Sequence, residues 1–188
     1  MSLETNLPSK VQHTVRILLR IQKIILFLCS MLLAISFFLV VVLRYIFEAD
    51  LFAYEEWVLA ISFWLYFIGG AQGSYEGTHI KADFVNAWVG SIRVKWLIAN
   101  TALLLEIAVG IVLSYWAYLM VMEDATKYPD WPATVAWKIP FLLPRLGIFL
   151  GLVLMTFYTA LHFWVAIKLG PSHEWDAEEA ATGVSEGV

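Results

Sequence analysis

Four long apolar runs, separated by shorter polar stretches, dominate the hydrophobic pattern of this chain. They cover residues 24–43, 57–75, 96–122 and 146–167, and only Glu106 and His162 interrupt them with an acidic or basic side chain. A helix crosses the hydrocarbon core of a bilayer with about 20 apolar residues, whereas a membrane barrel strand alternates apolar and polar positions. The pattern therefore predicts an all-α integral membrane protein with four transmembrane helices.

The first run is too long for the core of a signal peptide, and no small-x-small cleavage site follows it. It ends in Leu43, Arg44 and Tyr45, a sequence typical of a membrane interface. We therefore expect this run to be a retained helix.

The second connection predicts an additional short helix over residues 83–94. Its apolar residues recur at helical spacing, and Asp83 is a suitable N-cap. These residues are Phe84, Val85, Trp88, Val89 and Ile92. Because such a segment is too short to span, we predict an amphipathic helix that lies in the membrane interface.

The third connection and the tail have different compositions. Residues 123–145 hold four of the six prolines, which predicts an ordered, irregular loop, and Trp131 and Trp137 are suited to the headgroup region. The acidic tail 169–188 predicts disorder. The expected organisation is an N-terminal segment 1–14, a membrane domain 15–168 and this tail.

Composition supports the membrane assignment. The 188 residues are 61% hydrophobic and 15% charged, whereas soluble domains are about half apolar and about a quarter charged. A net charge of −4 argues against nucleic acid as a partner. Cys29 is the only cysteine, which excludes an internal disulfide and a cysteine metal site.

Basic residues predict the orientation of the spans. With both termini inside, the inner side carries eight Lys and Arg residues and the outer side carries four. The outer residues are Arg44, Lys127, Lys138 and Arg145. The positive-inside rule therefore favours cytoplasmic N and C termini.

Charged groups beside the first connection form one candidate site. Arg44 ends the first run, and Glu55 and Glu56 begin the second. A pairing of Arg44 with either carboxylate is geometrically easy and could hold a partner subunit. The alternative is that each charge anchors its helix separately at the interface.

Glu106 is the second candidate, because it lies about 15 Å into the third span at 1.5 Å per residue. A buried carboxylate either becomes protonated or finds a partner. It could serve a proton or cation path, or form a hydrogen bond at a helix interface near His162. With one His well inside a span, the sequence gives no basis for a haem site, and we expect no cofactor.

Small residues are the third candidate feature. Gly69 and Gly73 form a GxxxG pattern in the second span, and Gly147 and Gly151 form another in the fourth. This spacing lets helix backbones approach closely. We expect these glycines to pack helices, either within the chain or against another protein.

An ordered series of motifs resembles the small membrane subunit, DctQ-like, of tripartite ATP-independent periplasmic (TRAP) transporters. The series comprises Arg44-Tyr45-Ile46-Phe47, Glu55-Glu56, Trp64, residues 67–71 and His79-Ile80-Lys81-Ala82-Asp83. The resemblance covers roughly residues 15–168.

The resemblance implies a four-span accessory subunit of the bacterial inner membrane, without enzymatic activity. Its implied partners are a large membrane subunit, which would carry the substrate and sodium sites, a periplasmic solute-binding protein and membrane lipids. The implied solutes are small carboxylates. Structural or interface roles are implied for Arg44, Glu55, Glu56, Trp64, His79 and Asp83.

A different class of function remains as the alternative, namely a standalone four-helix channel or small exporter that uses Glu106. The spans contain no internal proline and no repeat, although secondary transporters are often built from repeats with broken helices. The sequence therefore favours the accessory role. The first and third connections are expected to contribute to the docking surface for the binding protein.

Overall fold

Four long helices make up most of the described part of the molecule. The computed structural model describes residues 8–77 and 92–182, in which the helices are α1 (Ser9–Ile46), α2 (Tyr54–Glu76), α3 (Ile92–Thr126) and α4 (Leu142–Thr182). Each predicted apolar run lies within one helix. No strand occurs in these ranges; Ala133 and Pro140 form an isolated antiparallel bridge. The all-α prediction is confirmed.

Of the four helices in the described ranges, three are long and apolar enough to cross a membrane. These segments are Val11–Ile46, Arg93–Thr126 and Leu142–Gly170. The helix α2 is not among them, because Trp, Tyr, Gly and Gln residues reduce the hydropathy of its 23 residues. All four predicted spans are therefore helical, but only three of these helices meet the length and hydropathy expected of a membrane span.

The predicted interfacial helix 83–94 falls largely outside the described residues, as do His79 and Asp83. Its last three residues, 92–94, belong to the first turn of α3.

The helices form a row in the order α1, α2, α4, α3. Extensive contacts join α1 to α2, α2 to α4, and α4 to α3. The buried cluster of Val15, Leu19, Ala71 and Tyr158 lies where α1, α2 and α4 meet. There the Gln22 side-chain amide donates a hydrogen bond to the Tyr158 hydroxyl at 3.0 Å.

The ends of the molecule differ in character. The start of α1, the end of α2, the start of α3 and the end of α4 meet at one end, which we call the terminal end. The opposite end, called the loop end, contains the connections 47–53 and 127–141. The short first connection makes α1 and α2 antiparallel neighbours.

The glycine patterns pack helices within the chain. A Cβ added at Gly147 would lie 3.1 Å from the Trp64 ring, and one added at Gly151 would lie 2.5 Å from the Phe67 Cβ. Gly69 instead approaches α1, where an added Cβ would lie 3.6 Å from Cδ2 of Leu26. Two of the four glycines therefore set the close approach of α4 to α2.

Several helix boundaries differ from the sequence-based expectation. Pro144 lies inside the first turn of α4 rather than in the loop, because the first helical N–H groups need no intrahelical acceptor. The helical backbone also continues to Thr182, past a non-helical Gly170 with φ 74°, through part of the segment expected to be disordered. Residues 177–181 are Ala and Glu, which have high helix propensity.

Candidate functional site

The carboxylate of Glu56 fastens the start of α2 to the third connection. Its two oxygens accept hydrogen bonds from the backbone N–H of Ala136 at 2.9 Å and of Trp137 at 2.8 Å. The connection is itself folded back, since Thr134 N–H donates to the Ile139 carbonyl at 3.0 Å. The Thr134 hydroxyl in turn accepts from Ile139 N–H at 2.9 Å. The loop is ordered and irregular, as predicted.

Tryptophan side chains extend this attachment. The rings of Trp57 and Trp137 meet edge to face with centroids 5.5 Å apart, and the Trp137 indole N–H donates to the Phe52 carbonyl at 3.4 Å. Two turns further along α2, the Trp64 indole N–H donates to the Leu143 carbonyl at 2.9 Å. The start of α2 is therefore fixed to both connections and to α4.

The hypothesised pairing of Arg44 with a carboxylate of α2 is not present. Among the described residues, Arg44 forms no ion pair, Glu55 is exposed, and Glu56 binds the loop instead. The backbone N–H groups of the loop compete better than Arg44 for the Glu56 carboxylate, because they converge on it with a fixed geometry. Arg44 lies in the last turn of α1, where a cation favours the helix dipole.

Hydrogen bonding also controls the protonation of Glu56, which lies one residue before the predicted span. Desolvation raises its pKa, but hydrogen bonds from the Thr134 side chain and from the backbone of Ala136, Trp137 and Val135 outweigh this effect, and the pKa falls below its ordinary 4.5. A lowered pKa means that Glu56 stabilises the folded state above the pKa of the unfolded chain. This stabilisation is lost as pH falls through the folded pKa.

Replacement of Glu56 by Ala is expected to release the part of the third connection that contains Ala136 and Trp137. The amides of Ala136 and Trp137 lose their acceptor, so peptides that cover residues 130–141 should exchange hydrogen several-fold faster in mass-spectrometric measurements. Glu55→Ala, one position away and exposed, is the control and should leave exchange unchanged. Equal exchange in the two variants would contradict the attachment.

An ion pair with a buried carboxylate ties α3 to α4 beside this loop. One guanidinium nitrogen of Arg145 lies 2.5 Å from Oδ1 of Asp124. The Asp124 side chain is 1% exposed and that of Arg145 is 31% exposed. Oδ2 of Asp124 is buried with no hydrogen-bond partner in the described ranges. This pair was not predicted from the sequence, because both residues stand near helix ends where solvated charges are common.

Glu106 occupies the exposed surface of α3 near its middle. The buried Thr159 hydroxyl donates to its Oε1 at 3.0 Å, whereas the Glu106 side chain as a whole is exposed. Val109 and Leu113 follow on the same helical face, 57% and 46% exposed. The carboxylate thus accepts one hydrogen bond from α4, while the Glu106 residue as a whole remains exposed.

His162 lies midway along α4, against the end of α2. Its Nε2 is 3.0 Å from the Tyr75 carbonyl; because a carbonyl only accepts, Nε2 carries a proton in this arrangement. This contact binds α4 to the end of α2. In the part of the chain that the structure describes, no group of three or more His, Cys, Asp or Glu residues is placed to hold a metal.

In this arrangement, polar groups bind helices and loops to one another. Residues 33–169 match the family model described as tripartite ATP-independent periplasmic transporters, DctQ component. The chain belongs to the DctQ family. The motif-based resemblance is thereby confirmed. A comparison with curated proteins gave no match.

Membership in the DctQ family carries a coarse statement of function. The family supplies small membrane components of TRAP transporters and is not a family of enzymes. In these transporters the DctQ component functions with a large membrane subunit and a solute-binding protein. The matched range includes all the candidate residues from Arg44 to Glu106.

Proposed function

We propose that this chain is the accessory scaffold subunit of a TRAP transporter that takes up small carboxylate-bearing solutes in an ion-coupled, sodium-dependent symport. It pairs with the large membrane subunit, and a periplasmic solute-binding protein delivers the solute. The match of residues 33–169 to the DctQ family carries this proposal.

The proposal places all four helices across the bacterial inner membrane with both termini in the cytoplasm. The eight-to-four distribution of basic residues supports this orientation. The loop end then faces the periplasm, where its attachment through Glu56 gives the solute-binding protein a fixed surface.

The row of helices supports a role beside a larger partner. In this row α1 packs mainly against α2 and also meets α4 at Tyr158, and α3 packs mainly against α4. The outer faces of α1 and α3 are apolar and exposed, as at Phe38 (66%) and Leu105 (63%). Lipid and a partner subunit can both cover such faces. A rigid row also suits a scaffold against which a transport domain moves.

Glu106 is the residue of α3 that we assign to the contact with the large subunit. A carboxylate that faces lipid near mid-membrane is costly, so such groups face protein or a water-filled cavity. Thr159 satisfies one oxygen, and the large subunit would supply a hydrogen-bond donor to the other.

Co-expression with the large subunit tests both parts of this proposal. A tag on this chain should recover the large subunit from native membranes, and the solute-binding protein should crosslink at the exposed Asp130. Glu106→Leu should reduce recovery of the large subunit by about tenfold, the effect of about 1.4 kcal/mol. Glu106→Gln, which keeps a hydrogen-bonding group, is the matched control and should retain most of it.

The outcomes separate the two claims. If the Glu106→Leu variant recovered as much large subunit as the wild type, the assigned contact of Glu106 with the large subunit would be contradicted. The accessory role itself would not be affected. Solute transport by this chain alone in liposomes, together with no recovered subunit, would contradict the accessory role and favour the channel or exporter.

A further inference from the structure

A groove runs along one face of α1 near the terminal end. It is an open depression of about 440 Å³ between side chains of α1 alone. The residues that matter for its chemistry are three cations and three large apolar side chains. The cations are Arg16, Arg20 and Lys23, and the apolar side chains are Ile24, Phe27 and Leu28.

The order of these side chains along the helix divides the groove into two halves. Positions 16, 20 and 23 follow the i, i+4, i+7 spacing of a single helix face, so the three cations stand above one another. The apolar side chains come next, and the groove extends about 18 Å from residue 16 to residue 28 at 1.5 Å per residue. It is cationic toward the start of α1 and apolar toward its middle.

Within the described part of the chain, the cations of the groove form no ion pair. Arg16, Arg20 and Lys23 are exposed, and the ion pairs of the described residues involve other groups. The buried residues Val15 and Gln22 lie on the neighbouring face of α1, which packs against the rest of the protein. Leu19, which is also buried, lines the edge of the groove. In the described part of the chain, the groove is open to the surroundings and its positive charge is available for an external anion.

The length of α1 places the change from cationic to apolar at a membrane boundary. Its 38 residues extend about 57 Å at 1.5 Å per residue, well beyond a hydrocarbon core of about 30 Å. The uncharged run begins directly after Lys23 and lasts to Leu43. The three cations then lie at headgroup depth, and Phe27 and Leu28 lie at acyl-chain depth.

We propose that this groove is a binding site for one anionic phospholipid. The phosphate binds Arg16, Arg20 and Lys23, and an acyl chain packs along Ile24, Phe27 and Leu28. A free phosphate ion would use only the cationic half, whereas a phospholipid matches both halves in the order found. The inner leaflet follows from the proposed orientation, but the groove and its lipid do not depend on the partner subunits.

Native mass spectrometry of the full chain in detergent tests the site. Phosphatidylglycerol should remain bound to the wild-type protein and phosphatidylcholine should not. Each basic residue near an anionic lipid contributes about fivefold to binding, so Arg16→Gln with Arg20→Gln should weaken phosphatidylglycerol binding by about 25-fold. Arg93→Gln with Lys168→Gln removes the same charge from the same end of the molecule and should weaken binding by less than about fivefold.

Three results would overturn the proposal. They are equal retention of phosphatidylcholine and phosphatidylglycerol, equal losses in the two double variants, and binding of soluble glycerol phosphate as tight as that of the lipid. The lipid comparison uses the wild-type chain, so it decides the matter even if a variant folds poorly.

Discussion

Gly151→Ala should lower the free energy of unfolding by about 2–3 kcal/mol, the upper part of the range for overpacked cores. A Cβ at this position would lie 2.5 Å from the Phe67 Cβ and 2.7 Å and 2.8 Å from its backbone O and C. A side chain can rotate away from such a contact, but a helix backbone cannot. The new methyl group must therefore separate α4 from α2 along their whole seam.

Gly69→Ala is the matched control, since it makes the same chemical change in the other glycine pattern. Its Cβ would lie 3.6 Å from the Leu26 Cδ2, an ordinary van der Waals distance. Ala is favoured over Gly in a helix interior by about 0.5–1 kcal/mol, so this variant should be as stable as the wild type or more so.

Equilibrium unfolding in mixed SDS and non-ionic detergent, followed by circular dichroism, measures both variants. Helix propensity alone predicts that both substitutions stabilise the protein, whereas the close approach of α4 to α2 predicts opposite signs. Two variants of equal stability would show that α4 is not held against α2 at Gly151.

The helices could be predicted from the sequence because hydropathy reports a property of each segment by itself. Runs without charge identify where a helix can meet lipid, and all four runs are helical in the structure. Hydropathy does not report where a helix continues into the interface. The segment of α1 before Ile24 has a buried face at Val15 and Leu19 beside exposed arginines, so its helical character comes from packing.

The contacts of the candidate residues could not be predicted, because they depend on residues distant in sequence. A charge near a helix end suggests a partner in the adjacent turn, which is why the sequence favours a pairing of Arg44 with α2. Glu56 instead binds backbone N–H groups about 80 positions away, and main-chain donors leave no signature in the sequence. Likewise, the GxxxG spacing shows that a helix can be approached closely but not which helix approaches it.

Arg145→Leu is expected to produce the largest loss of stability among single substitutions at the loop end. It removes the cation that lies 2.5 Å from an Asp124 carboxylate that is 1% exposed. Loss of one partner from a buried ion pair typically costs about 3–5 kcal/mol, because the remaining charge is desolvated without compensation. The last turn of α3 and the first turn of α4 should then separate.

The double variant Asp124→Leu with Arg145→Leu distinguishes this cause from a simple loss of packing. Replacement of both charges by apolar groups is often neutral or even stabilising, so the double variant should unfold within about 1 kcal/mol of the wild type. A surface pair would behave differently, since its disruption usually costs less than about 1 kcal/mol. If Arg145→Leu lowered the free energy of unfolding by less than about 1 kcal/mol in the same measurement, the pair would be solvated rather than buried. If the double variant were as unstable as Arg145→Leu, the Arg145 side chain would act through its packing, and the uncompensated Asp124 charge would not be the cause.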